Sequence, residues 1–170
     1  KIRCIAISAQ DHEHDAVLEI VSAGLVDGVQ AIFNIFESRP MSALLPLARE
    51  RGVGVIARCV YDSGGMSGAL TPEEFRARRF LQHAPYEQYQ ARLDELARRF
   101  IPAEANSIAE LALRFALSVP GVSAATLGMP ETRLVDAAID AAERGPLSPA
   151  TVEAIRREHV WTRNFYERLS

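Results

Sequence analysis

Lysine is nearly missing from this sequence. Lys1 is the only one, and the other basic residues are all arginine, so chemistry that needs an internal ε-amine, as a Schiff base or as a cation that acidifies a neighbouring phenol, has no candidate. Cysteine is almost as scarce. Cys4 and Cys59 lie far apart, each in a strand-like run, which predicts reduced thiols in the core rather than a disulfide or a zinc pair. Charge of one sign is also lacking: nineteen Lys+Arg against twenty-two Asp+Glu leave a net charge of −3, which gives no electrostatic footprint for nucleic acid or an anionic membrane. Apolar runs such as Val53–Ala57, or Ala109–Leu113 broken by Glu110, fall far short of the roughly 18 residues that span a bilayer. The chain enters its first apolar run directly after Lys1, without a charged, apolar and cleavable leader, so a cytoplasmic location is expected.

What is present is enough for one core. With 170 residues, 48% of them hydrophobic and 24% charged, a single domain over residues 1–170 is expected. Ile2–Ser8 reads as a strand, and Asp11–Asp15 places carboxylates ahead of an amphipathic stretch that ends at Gly24. Asp27–Phe33 repeats the strand signal. Pro40 then opens a helical segment with apolar Met41, Leu44, Leu45 and Leu47, stopped at Gly52. Val53–Ala57 is a third strand, followed by a long irregular stretch from Arg58 to about Tyr86. Helices are expected over Tyr86–Phe100 and from a Ser107 cap through Leu117. Gly121–Gly128 is the fourth strand, Glu131–Glu143 a helix, and Ser148 caps a last helix reaching roughly Leu169.

Strands alternating with helices imply parallel pairing and an α/β class. No G-x-G-x-x-G follows the first strand, as a dinucleotide-binding doubly wound sheet would have it. Polar or unusual residues instead follow the strands' carboxyl ends, at Ser8, Gln30, Arg58-Cys59 and Gly128-Met129, where a (β/α)8 barrel builds its site. Four βα units supply only half of such a barrel.

The residues in order resemble the C-terminal half of an aldo-keto reductase, strands 5 to 8 of its TIM barrel. Lys1–Ser8 resembles the fifth strand, Val29–Asn34 the sixth and Gly52–Arg58 the seventh; the Asp62–Leu70 loop, the Ala109–Leu117 helix and Pro120–Gly128 continue the match. The resemblance implies an NAD(P)H-dependent carbonyl reductase acting on a small-molecule carbonyl, in which the cofactor supplies the hydride. It implies that Ser8 and Gln30 bond the nicotinamide carboxamide, an amide needing both a donor and an acceptor, and that Arg58 takes the place of an aromatic residue stacked on the ring. The loop from Cys59 through Tyr61, Ser63, Gly64 and Gly65 to Gly68 would follow the pyrophosphate, where glycine permits close backbone approach. Gly128 and Met129 would turn beneath the adenosine phosphate, with Arg133 as its basic contact. NADP is favoured over NAD by the resemblance and weakened by Pro130, Ala137 and Ala138, which stand where a basic residue and a Glu-Asn pair are usual.

The family's catalytic Asp, Tyr, Lys and His fall ahead of Lys1, so no catalytic residue is assigned. Tyr61 has no lysine to acidify it. The expected partner is an N-terminal half or, in the alternative reading, a second copy, which would make this a self-associating binding or assembly module without carbonyl reduction. Residues Asp11–Asp15 include two histidines two apart, which face away from each other on a helix; a solvated helix start is expected there, not a metal site. His83 and His159 are expected at the surface or an interface. Arg76, Arg78 and Arg79, set among acidic neighbours, read as a solvated helical face. Gln30 inside an apolar strand needs a partner, because an unsatisfied buried amide costs roughly 2–7 kcal/mol.

Overall fold

A computed structural model of the protein describes residues 1–68, 70–81 and 84–163. Strands β1 (Ala6–Ser8), β2 (Gly28–Ile32), β3 (Gly54–Arg58) and β4 (Val122–Ala125) form one parallel sheet in the order β1-β2-β3-β4. Spatial order follows chain order, as in a barrel wall; a doubly wound sheet would reverse at a switch point. The helices are α1 (Leu18–Ser22), α2 (Leu44–Arg51), α3 (Pro72–Ala77), α4 (Tyr86–Phe100), α5 (Ile108–Ser118), α6 (Thr132–Glu143) and α7 (Pro149–Glu158). Among the described residues, no helix is long and apolar enough to cross a membrane.

The period of two along the strands decides which face is covered. Val29, Ala31, Val55 and Ala57 are buried among the helices' apolar faces, where Leu44, Leu45, Leu111 and Phe115 join them in one core. Phe33, just past β2, stacks on Phe115 at 5.6 Å. The intervening positions are different. Gly28, Gln30, Gly54 and Ile56 are only half-buried, and Ala6, Ser8 and Ala124 are exposed. Among the described residues, helices thus cover one face and the other stays open, which is the arrangement of half a barrel. Gly121 fixes the approach to β4: its φ is +104°, and a Cβ there would sit 2.9 Å from the Leu45 carbonyl oxygen, so α2 and the β4 turn touch backbone to backbone.

Several expectations are corrected at the edges of elements. β1 starts at Ala6, and Cys4 is exposed rather than in the core. Among the described residues its sheet neighbour is β2, which begins at Gly28 paired with Ala6; Ile5 is held to Asp27, through its N–H to the carboxylate and its carbonyl from the Asp27 N–H, both 2.8 Å. The stretch from Asp11 is not a solvated helix start. It forms a 3₁₀ turn at His14–Val17 before α1, with His14 buried and His12 Nδ1 3.1 Å from the Glu37 carboxylate. The Arg58–Tyr86 stretch holds a further 3₁₀ segment, Asp62–Ser67, and α3, which Thr71 and Glu74 start with a capping box. α7 begins on its Ser148 cap as expected but stops at Glu158. His159, expected at the surface, is 1% exposed and packs edge-on against Phe100; the chain then turns so that the Trp161 N–H bonds the Phe36 carbonyl. His83 and the expected helix end at Leu169 lie outside the described residues.

These buried polar groups make stability depend on acidity. Burial holds His14 and His159 below the usual histidine value, so the unfolded chain takes up protons first as pH falls through about 6.5. Burial would raise the Glu37 carboxyl, but hydrogen bonds from Arg39 and His12 hold it at about 2. Its stabilisation is full above its ordinary value of 4.5 and is lost as pH falls toward 2. Urea midpoints should therefore decline in two stages, below pH 6.5 and again below 4.5. A flat profile between pH 7 and 3 would contradict this assignment.

Candidate functional site

In a parallel sheet with helices on one face, loops leaving the strands' carboxyl ends meet at one rim. β1 and β2 place Ser8 and Gln30 in register, with Ser8 Oγ 3.5 Å from the Gln30 side-chain oxygen. Both side chains stand on the open face. Gln30 is therefore half-buried and lines a cleft, and the amide expected to need a partner has the Ser8 hydroxyl beside it. At the end of β3, Arg58 donates through Nη2 to Asp11 Oδ1 at 2.6 Å and to the Ala9 carbonyl at 3.1 Å. Its guanidinium is tied across the rim of β1.

The turn after β3 is the most contorted part of the chain. Cys59, Asp62 and Ser63 have φ of 55°, 46° and 58°, and Gly64 follows at 96°. Left-handed non-glycine residues cost on the order of 1–3 kcal/mol each and persist only where surroundings impose them. Here the constraint is a buried ion pair. Asp62 accepts from Tyr89 Oη at 2.8 Å and from Arg163 Nη2 at 2.7 Å, and the guanidinium of Arg163 lies within 5.2 to 5.9 Å of the Trp161, Phe36 and Tyr89 ring centres. Burial, then the Asp62 charge, pushes the Tyr89 phenol well above its usual value, so it stays a donor. Burial likewise raises the Cys59 thiol, which disfavours a nucleophilic role.

Between this turn and the start of α6 runs a cleft of about 970 Å³. Gln30, Arg58, Cys59, Tyr61, Ser63, Gly64, Gly128 and Arg133 all line it. It shares Tyr61, Ser67, Gly128 and Leu134 with a second chamber of about 260 Å³, whose lining combines Met129, Ala137, Ala138 and Ala141 with Glu110, Asp140 and Arg144. Ser8 stands beside Gln30 without lining either space. Gly65 and Gly68 do not join the site as expected: they line a separate recess between the turn and α4. A Cβ at Gly65 would come within 2.2 Å of the Tyr89 hydroxyl, so that glycine serves packing against α4.

Other residues of the site were not legible as such. Arg78, expected on a solvated helical face, lies past the end of α3, lines the cleft and donates through Nη1 to the Ser63 carbonyl at 3.1 Å. The only sequence signal was its distance of fourteen positions from the Gly64 turn, which carries no register. Glu131 lines the same wall and holds Arg133, with Nε to Oε2 at 2.7 Å. Asp11 and Asp62 were likewise missed, because their partners are remote in sequence.

The donor set suits a dinucleotide. Arg78 and Arg133 bring cationic donors to a wide polar cleft, a Cβ at Gly128 would meet nothing within 4 Å and so leaves backbone open there, and the adjoining chamber offers an apolar slot for a flat base. Comparison with known proteins agrees with the fold. The model of the aldo/keto reductase family matches residues 1–158. A search of curated proteins finds no match. Among solved structures, aldo-keto reductase AKR11C1 from Bacillus halodurans in its holo form is similar at 22% identity with a TM-score of 0.69, over 95% of this chain and 52% of that one. Its apo form is similar at 22% identity and TM-score 0.68, over 94% of this chain and 53% of that one. The chain spans about half the length of these structures, and the likeness to them is one of fold.

Proposed function

The chain belongs to the aldo/keto reductase family, and from that premise we propose that it is the dinucleotide-binding half of an NAD(P)H-dependent reductase of small-molecule carbonyls. The observation that carries this reading is the cleft at the carboxyl rim, lined by Gln30, and the chamber that shares four lining residues with it and is lined by Ala137 and Ala138. Gln30 and its neighbour Ser8 would hold the nicotinamide carboxamide. Arg78 and the turn at Ser63-Gly64 would hold the pyrophosphate, and the chamber the adenine. The bound cofactor supplies a hydride to the carbonyl. Arg58, bonded to Asp11, would fix the rim beside the ring.

Protonation of the reduced carbonyl has to come from elsewhere. Tyr61 lines the cleft, but burial raises its phenol above the ordinary value, the wrong direction for a general acid, and the single lysine sits ahead of β1, away from the rim. Accordingly the full chain is expected to quench or enhance reduced-nicotinamide fluorescence saturably, while oxidising no cofactor above background in the presence of aldehydes or ketones. Absence of any binding signal would overturn the dinucleotide reading, and turnover by the purified chain would overturn the assignment of proton transfer to another segment.

The same geometry supports a partner. Among the described residues, the open face and the outer edges of β1 and β4 leave backbone groups and half-buried Ile56 without cover. An N-terminal half would close them. A second copy would do so too, and would make a binding module rather than a reductase. Either way the chain should sediment above its monomer mass; a stable monomer at micromolar concentration would count against closure by a partner.

A further inference from the structure

We infer that the site selects a dinucleotide whose adenosine ribose carries a free 2′-hydroxyl, NADH rather than NADPH, and that Glu131 reads that hydroxyl; this rests on the reading of the cleft as a dinucleotide site. A sugar linking a base in the apolar chamber to a diphosphate in the cleft must pass the junction where the two spaces share Tyr61, Ser67, Gly128 and Leu134. Glu131 borders that junction. It is the residue before α6, extended at φ −131° and ψ 142°, exposed, and it lines the cleft three positions after Gly128.

The charges at this end are already matched. Two guanidinium groups line it, Arg133 in the cleft and Arg144 in the chamber. Arg133 is held by both oxygens of Glu131, at 2.7 and 3.2 Å, and Arg144 lies 3.7 Å from Glu110. Asp140 adds a third carboxylate to the chamber wall. A 2′-phosphate would bring about two further negative charges to a wall carrying Glu110, Glu131 and Asp140. Detaching Arg133 from Glu131 costs little, since the pair is exposed, but it leaves the carboxylate facing the phosphate. A hydroxyl meets the opposite situation, because Glu131 accepts its hydrogen while remaining on Arg133. An acidic side chain on the ribose 2′-hydroxyl is also the general solution for discriminating NAD from NADP.

The test is titration of the full chain with NADH and NADPH, followed by nicotinamide fluorescence and by calorimetry. NADH is expected to bind at least about tenfold more tightly, the equivalent of roughly 1.4 kcal/mol. Glu131→Gln should raise NADPH affinity several-fold and lower that for NADH, narrowing the ratio. Glu131 is exposed and its side chain makes no cap to α6, so this variant keeps the fold, and unchanged circular dichroism and melting verify it. Equal or tighter binding of NADPH by the unaltered chain overturns the inference. So does an Arg133→Ala variant that loses NADPH affinity more than NADH affinity, which would make Arg133 a phosphate contact. Binding of neither nucleotide removes the dinucleotide reading itself, and the inference with it.

Discussion

Asp62→Ala is expected to destabilise the protein by about 3–5 kcal/mol, because it breaks a buried ion pair and removes the carboxylate that the Arg163 guanidinium and the Tyr89 hydroxyl share. That is a large part of the roughly 5–15 kcal/mol that holds a domain folded. The loss reaches beyond one pair. Asp62 ties three separate pieces together: the left-handed turn after β3, Tyr89 of α4, and the segment after α7 that carries Trp161 and Arg163. Tyr89→Phe removes a single hydrogen bond and should cost only about 1–3 kcal/mol. Replacing both charged partners, Asp62→Ala with Arg163→Leu, should recover part of the loss, since the buried guanidinium disappears along with the carboxylate. Urea unfolding of the three variants gives the comparison. An Asp62→Ala change below about 1 kcal/mol would mean that the pair does not constrain the turn.

That network also shows where sequence reasoning runs out. Helices α4 and α5 were legible because their signals are local: Tyr89, Leu93, Leu96 and Phe100 repeat at helical spacing and are buried, and Ser107 accepts from the Glu110 N–H as a cap should. The four strands, their parallel order and the loops that form the rim were legible for a similar reason, since βα alternation restricts the topology. Edges were not. Ile2 and Ile5 have strand composition, yet no neighbouring strand reaches them, and they are 83% and 56% exposed. Apolar residues at an edge have the same period as those of a core, so periodicity alone cannot distinguish the two.

For the site, the division follows sequence separation. Ser63, Gly64 and Gly128 lie in recognisable stretches after strands, Gln30 lies within β2, and all four fall on one cleft. Arg163 lies 101 positions from Asp62, and Arg58 47 positions from Asp11, so nothing in either neighbourhood announces the pair. Gly65 and Gly68 illustrate the converse error. A glycine-rich run suggests backbone approach to phosphate, but Gly65 is there because the Tyr89 hydroxyl occupies the space of a side chain. The same run therefore serves both a possible ligand, at Gly64, and the scaffold behind it.

The chamber proposed for adenine allows the site to be separated from the scaffold by a single change. Ala137→Trp should abolish dinucleotide binding, lowering affinity at least about a hundredfold, or roughly 2.7 kcal/mol, while leaving folding nearly intact. Ala137 is exposed on α6 and lines a chamber of about 260 Å³, whose floor is supplied by Leu134, Ala138 and Ala141. An indole placed there occupies the slot without displacing core residues, since Ala137 itself is not among them. The helix pays only the propensity difference between alanine and tryptophan, at most about 0.7 kcal/mol in an exposed position. Nicotinamide fluorescence titration together with a thermal melt of the same preparation measures both effects. If binding survives with the melt unchanged, the base does not enter this chamber, and the cleft must hold its ligand in another orientation. Placed beside Asp62→Ala, the variant tests the central distinction in this structure: one residue shapes the turn from behind without touching the ligand, and the other closes the space the ligand needs without loosening the turn.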